Sequence, residues 1–154
     1  MDSNDVIRQM DARRALFGLF FEFHNRLQAA GDAFYEEITC KQFFLLACMS
    51  LFKDASPPTA NEMAEVMGCS RQSVKEILNS LEKKGFILMV TDEADKRKKR
   101  ITLTEKADEF RARNFAREVD FINGLYDGLT DDEIKATYRV ITRLEENLKK
   151  MSEE

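Results

Sequence analysis

Three threonines in this chain stand three residues ahead of a glutamate or glutamine and just before an apolar run, the pattern of a capping box: Thr39 with Gln42, Thr59 with Glu62, and Thr130 with Glu133. In such a pair the hydroxyl accepts from the amide N–H three residues on, and the longer side chain reaches back to the threonine N–H. Two of the donors that a helix leaves unpaired at its start are thereby satisfied. Each pair precedes an apolar run, so three helix starts are set. The Thr39 pair opens a helix with Phe43, Phe44, Leu45, Leu46, Ala47, Met49, Leu51 and Phe52. The Thr59 pair opens a short one with Met63, Ala64, Val66 and Met67 inward, stopped by Gly68, and the Thr130 pair a last one with Ile134, Tyr138, Ile141, Leu144, Leu148 and Met151. The only two prolines are adjacent, Pro57 and Pro58, and only six glycines occur in 154 residues, so long helices are open to the chain nearly everywhere else.

The intervening segments complete a mainly helical reading. From Val6 to about Ala30 the apolar residues Val6, Ile7, Met10, Leu16, Phe17, Leu19, Phe20, Phe21, Phe23 and Leu27 come to surround a first helix, which predicts burial on all sides, in the core or in a subunit interface. Gly31 and Asp32 are its expected end. After the turn Gly68-Cys69-Ser70, Ser70 is the expected N-cap of a helix that buries Val74, Ile77, Leu78 and Leu81, leaves Arg71, Gln72, Lys75 and Asn79 outward, and breaks at Gly85. Residues 86–91 and 100–103 are short and rich in β-branched and aromatic types, and the polar stretch 92–99 between them makes a hairpin with a charged tip. Thr104 caps a further helix with Phe110, Phe115, Val119, Ile122 and Leu125, and a turn at Gly128 makes it and the last helix an amphipathic pair.

The net charge is −4, yet it is unevenly laid out. Residues 70–106 carry ten Lys or Arg against six Asp or Glu, a local charge of +4, so the rest of the chain carries −8. An acidic body with one basic segment suits a protein that offers one face to phosphate and repels it elsewhere.

Two short helices joined by a glycine turn and followed by a basic hairpin describe a winged helix-turn-helix. The turn holds the second helix across the first with its N-terminal residues outward, and a helix of that kind fits the major groove of DNA. Thr59, Ser70, Arg71, Gln72, Ser73 and Lys75 are the candidate contacts there, with Asp95, Lys96, Arg97 and Lys98 in the wing. Arg and Gln suit guanine and adenine edges, whereas the serines and the helix start suit phosphate oxygens. At these residues the chain resembles the MarR family. The resemblance is carried by Thr59-Ala60-Asn61-Glu62-Met63-Ala64, Ser70-Arg71-Gln72-Ser73-Val74, Leu81-Glu82-Lys83-Lys84-Gly85-Phe86-Ile87, Asp92 with Asp95-Lys96-Arg97, and Ile101-Thr102-Leu103-Thr104, over about residues 59–107. It implies residues 39–104 as a DNA-binding domain, 1–38 and 105–154 as helical dimerisation segments, and Arg97 in the minor groove with Asp95 orienting it. It also implies a homodimer on a pseudo-palindromic double-stranded operator, and a transcriptional repressor released by a small aromatic effector. Phe17, Phe21, His24, Phe44 and Cys48 are the candidate effector pocket. Glu76, where many relatives carry a basic or neutral residue, and Ala107, in place of the glycine usual after the Leu-Thr motif, depart from the pattern.

No Gly-rich phosphate loop, nucleophile elbow or metal-spaced His/Cys cluster marks an enzyme, so no catalytic residue, cofactor or metal is expected. His24, the only histidine, reads as a core or interface residue. Cys40, Cys48 and Cys69 form no CxxC pair and read as reduced thiols. Lys83 and Lys84 read as cations at a helix C-terminus rather than as DNA contacts. With no signal peptide and no apolar run of about 20 residues, a cytoplasmic, non-membrane protein is expected. Two alternatives stay open: a thiol-based redox-sensing regulator, with Cys40 at a helix start, and a winged-helix module for protein contacts that does not bind DNA.

Overall fold

The computed structural model describes residues 10–153, so the expectations on Val6 and Ile7 lie outside the described residues. Helix α1 runs Ala12–Phe34, α2 Cys40–Met49 with a 3-10 turn at Ser50–Phe52, α3 Ala60–Met67, α4 Arg71–Lys83, strand β1 Ile87–Thr91, β2 Lys99–Leu103, α5 Glu105–Leu125 and α6 Asp131–Ser152. All three threonine pairs form capping boxes, with both reciprocal bonds present. The chain divides into two compact units, residues up to Asp108 and residues from Glu109 on.

In the first unit α2, α3 and α4 pack around one core. Leu45 and Leu46 of α2, Met63 of α3, and Val74, Leu78 and Leu81 of α4 are fully buried, as are Phe86, Ile87 and Ile101 of the hairpin and Ala107. Each such large side chain contributes about 1.5–3 kcal/mol relative to exposure. Ala107 therefore does more than favour its helix: its methyl group is part of the core. Val66, expected inward, is exposed, so α3 buries a narrower stripe of Met63 and Ala64.

The hairpin is antiparallel in the register Ile87↔Leu103 to Thr91↔Lys99. Ile87 and Ile101 turn inward while Leu88 and Val90 face out, the alternation a half-covered ribbon requires. The Ile101 N–H donates to the Pro58 carbonyl at 2.8 Å, so the loop before α3 adds backbone pairing beside β2.

α1 departs from expectation twice. None of its residues is buried, and Phe17, Phe21 and Phe23 are 66%, 61% and 50% exposed, so its apolar circumference does not sit in this chain's core. His24 is exposed with them. Gly31 and Asp32 do not end the helix, which continues to Phe34. Gly31 instead marks the close approach of α1 to α2: a Cβ there would collide with the Cys40 side chain. Asp32 accepts the Cys40 N–H at 2.7 Å, satisfying an amide at the start of α2.

In the second unit the turn through Gly128 separates α5 from α6, and α6 buries none of its residues. Phe115, Tyr138, Leu148 and Met151 are all more than 60% exposed. The apolar stripes read from the sequence are present, and the described residues leave them uncovered.

Candidate nucleic-acid interface

α3 ends where Gly68 takes a left-handed conformation, φ 65° and ψ 31°, which turns the chain sharply and which a side chain would strain. Ser70 follows as N-cap of α4: its Oγ accepts the Ser73 N–H at 3.1 Å and donates to the Ser73 Oγ at 2.9 Å. Because Val74, Leu78 and Leu81 are buried on one side, the 100° step of a helix turns Gln72 and Glu76 away from the core and Lys75 to its flank, while Arg71 stays open to solvent at the helix start. All four are exposed. The Gln72 Nε2 donates to the Glu76 Oε1 at 3.2 Å. Thr59 is half-buried and its hydroxyl is engaged with Glu62, donating to Oε2 at 2.8 Å, so it serves the start of α3.

The wing tip is organised by two aspartates. Asp92 Oδ1 accepts the N–H groups of Ala94 and Asp95 at 2.9 and 2.7 Å. Asp95 Oδ1 accepts both the backbone N–H and the Nε of Arg97 at 3.1 Å, with Nη2 at 3.4 Å from Oδ2. That bond and the Arg97 backbone N–H hold the Asp95 carboxyl below its ordinary range. The Arg97 side chain stays 91% exposed, so Asp95 aims the guanidinium without covering it. Lys96 and Lys98 flank it and are exposed.

Arg100 plays a part the charge run conceals. Its Nε donates to Asp92 Oδ2 at 2.6 Å, and its Nη1 to the Pro57 carbonyl at 3.0 Å and to Glu62 Oε2 at 3.4 Å. One planar guanidinium thus ties the base of the wing to the loop before α3 and to the capping box of α3. The Arg100 hydrogen bond, with the N–H groups of Asp95 and Ala94, holds the Asp92 carboxyl at about 2. The backbone N–H and hydroxyl of Thr59, then Arg100 and Lys98, hold Glu62 below its ordinary range. A signal for this pair existed in the sequence: Asp92 and Arg100 flank the tip of a hairpin, where diagonal cross-strand neighbours come within reach of long side chains.

A second link joins α2 to the C-terminal end of α4. The buried Gln42 donates through Nε2 to the Ser80 Oγ at 2.8 Å, and its Oε1 accepts from the Lys84 Nζ at 2.9 Å. The Lys84 Nζ also donates to the Glu37 carbonyl. Lys84 therefore reaches across to the start of α2 rather than only settling the end of its own helix. Glutamine serves here because one amide both donates and accepts, which a carboxylate would not. Phe17, Phe21 and Phe44 are exposed rings, with Phe17 and Phe21 edge to face at 5.2 Å, and Cys48 is buried. Among the described residues no three His, Cys, Asp or Glu cluster as metal ligands, and no helix is long and apolar enough to cross a membrane.

A helix-turn-helix whose outward helix is followed by an antiparallel hairpin with an aimed arginine defines a winged helix-turn-helix protein. Residues 38–99 match the model of the MarR family. Solved structures agree on the fold. A MarR/EmrR family transcriptional regulator from Acinetobacter sp. ADP1 has a TM-score of 0.78 at 17% identity, covering 92% of this chain and 99% of that one. The S. aureus MepR–DNA complex has a TM-score of 0.75 at 22% identity, covering 84% and 95%. An organohalide-sensing transcriptional regulator with 2,4-dichlorophenol bound has a TM-score of 0.79 at 18% identity, covering 91% and 83%.

Proposed function

We propose that this chain is a sequence-specific regulator of transcription that binds duplex DNA as a two-fold homodimer. α4 lies in the major groove, with Arg71, Gln72 and Lys75 reading or positioning bases and Ser70 and Ser73 beside phosphate, and Arg97 enters the minor groove. Asp95, Lys96 and Lys98 support that arginine. The observation that carries this reading is the Asp95–Arg97 pair, in which a bidentate carboxylate holds a guanidinium that stays 91% exposed at the tip of a wing. A narrow minor groove concentrates negative potential and attracts such a group. Dimerisation is supported by the uncovered apolar faces of α1 and α6. It places two reading helices on half-sites about one helical turn apart.

The experiment is a titration of parent and Arg97→Ala against selected duplex DNA across salt concentrations. Arg97→Ala lowers affinity and lowers the salt slope by about one contact's worth, ~0.9. Asp95→Ala gives a milder loss, since it frees the arginine without removing it. A parent chain with no salt-dependent DNA binding would instead favour the protein-contact module.

The regulator acts as a repressor, released by a small aromatic molecule at Phe17, Phe21, His24, Phe44 and Cys48. The exposed, edge-to-face rings of Phe17 and Phe21 support an apolar, aromatic ligand. The thiol alternative is less well supported. Burial and then Asp32 push the Cys40 thiol up, and burial and then Cys69 push the Cys48 thiol up, away from the reactive thiolate. A panel of phenols and aromatic acids tests the effector: release of DNA and a raised melting temperature support it, and release by peroxide alone refutes it.

A further inference from the structure

Over its first two turns the crest of α4 is not basic. Taking the buried Val74, Leu78 and Leu81 as the inward direction, the 100° step places Glu76 within about 15° of the opposite side, Gln72 within about 30° and Asn79 within about 50°, with Lys83 on the same line at the far end of the helix. Lys75 falls on one flank, and Arg71 beyond it at the helix start. The residues that reach deepest into a groove are therefore an amide and a carboxylate joined to each other, with the cations set to the side, where a groove wall offers phosphate. A carboxylate at that depth meets repulsion from both phosphate strands and from every acceptor edge. It is tolerated where a base offers an amine, and in the major groove only adenine N6 and cytosine N4 do so.

We propose that Glu76 is a specificity-determining residue of this helix, which orients the Gln72 amide toward an adenine edge and rejects a guanine or thymine edge, which presents only acceptors, beside its own carboxylate. The proposal deepens the DNA-binding reading above and rests on it. The geometry is the 3.2 Å bond from the Gln72 Nε2 to the Glu76 Oε1, between two exposed side chains one helical turn apart. A glutamine amide carries two N–H donors and one carbonyl. Glu76 takes one N–H and thereby fixes which end of the amide is nitrogen. The other N–H and the carbonyl remain for adenine N7 and N6, the bidentate pair that glutamine makes with that base. Without Glu76 the amide is free to turn end for end, and its preference for adenine weakens.

The test is selection from randomised duplex DNA by the parent, Glu76→Ala and Glu76→Gln, followed by titrations against single-base variants of the selected site and against unrelated duplex. The parent prefers adenine opposite Gln72 and an amine-bearing base beside Glu76, each by about 5- to 150-fold. In Glu76→Ala both preferences fall below about threefold while affinity for unrelated duplex rises, because a negative charge has left the interface. Those opposite movements are not what a loss of folding would give, and the melting temperature holds because the side chain is exposed. Glu76→Gln restores the preference opposite Gln72, since its carbonyl still accepts the Nε2 bond, but loses the preference at its own position. The proposal is overturned if Glu76→Ala selects the parent's site with the parent's discrimination, or if it loses selected and unrelated duplex equally. A parent that selects no sequence overturns the DNA-binding reading itself.

Discussion

Two glycines in α1 make opposite predictions for the same substitution. Gly18 stands on the stripe of Arg14, Glu22 and Arg26, the last two joined by an ion pair at 2.8 Å, and a Cβ built there meets nothing within 4 Å. Gly18→Ala therefore gains the helix-propensity difference alone, about 1 kcal/mol. Gly31→Ala gains at most the same, being near the helix end, but its Cβ would lie 2.7 Å from the Cys40 Cβ and closer still to the Sγ. Cys40 cannot retreat freely, because its N–H is held by Asp32 and the preceding Thr39 is locked in a capping box. Overpacking of that kind costs about 1–3 kcal/mol. The net is a loss of about 1–2 kcal/mol, and the two variants should differ by about 2–3 kcal/mol. Denaturant unfolding at one fixed protomer concentration, fitted with a common slope, reads this as a shift in midpoint. Cys40→Ala removes the sulfur but leaves the Cβ, so it should recover part of the loss, and the double-mutant cycle measures the coupling. Equal stability of Gly31→Ala and Gly18→Ala, or additivity in that cycle, would refute the account of the α1–α2 crossing.

Arg100→Gln should weaken DNA binding by loosening the wing while leaving the salt slope at the parent value; a slope reduced as in Arg97→Ala would make Arg100 a phosphate contact instead. Because the folded Asp92 carboxyl sits at about 2, below its ordinary value, its contribution to stability is complete above pH 4–5 and is lost as pH falls toward 2. Asp92→Asn should therefore lower stability at pH 7 and flatten the acid limb of the unfolding curve, and a limb unchanged by Asp92→Asn would count against the pairing. Cys69 is exposed whereas Cys40 is half-buried, Cys48 is buried and both thiols are pushed up, so mass spectrometry after brief alkylation at neutral pH should find the label on Cys69 first. Replacing Leu144 and Leu148 together with Asp should abolish operator binding and remove the concentration dependence of the melting temperature, and a parent that sediments as a tight-binding monomer would refute the dimer.

What was legible in the sequence was what depends on neighbours along the chain. The caps at Thr39, Thr59, Ser70 and Thr130 use partners three residues away, and all four form. The hairpin appears within a residue of its expected ends, β1 starting at Ile87 and β2 at Lys99. The Asp95–Arg97 bond spans two residues and is present. What was not legible depends on which remote segment arrives. Gly31 reads as a helix stop until Cys40 is seen beside it. Lys84 reads as a dipole partner until Gln42 and the Glu37 carbonyl, 42 and 47 residues away, are seen to receive it. The apolar wheel of α1 says only that something covers it, and periodicity carries no information on whether that cover belongs to the same chain.

Arg100 shows the same limit for charge. Counted along the chain it is the end of a run of five consecutive cations from Lys96, indistinguishable from its neighbours. In the fold its side chain is 28% exposed and lies between Asp92 and Glu62, so its field is largely cancelled close to home. Lys106 is likewise drawn in, its Nζ donating to the Lys84 carbonyl and lying 4.6 Å from the Phe86 ring centroid. The positive charge left facing outward lies at Arg97 with Lys96, Lys98 and Lys99 on the wing and at Arg71, Lys75 and Lys83 on α4. In the proposed complex phosphate binding follows the exposed cations, and discrimination between sequences falls to Gln72 and Glu76.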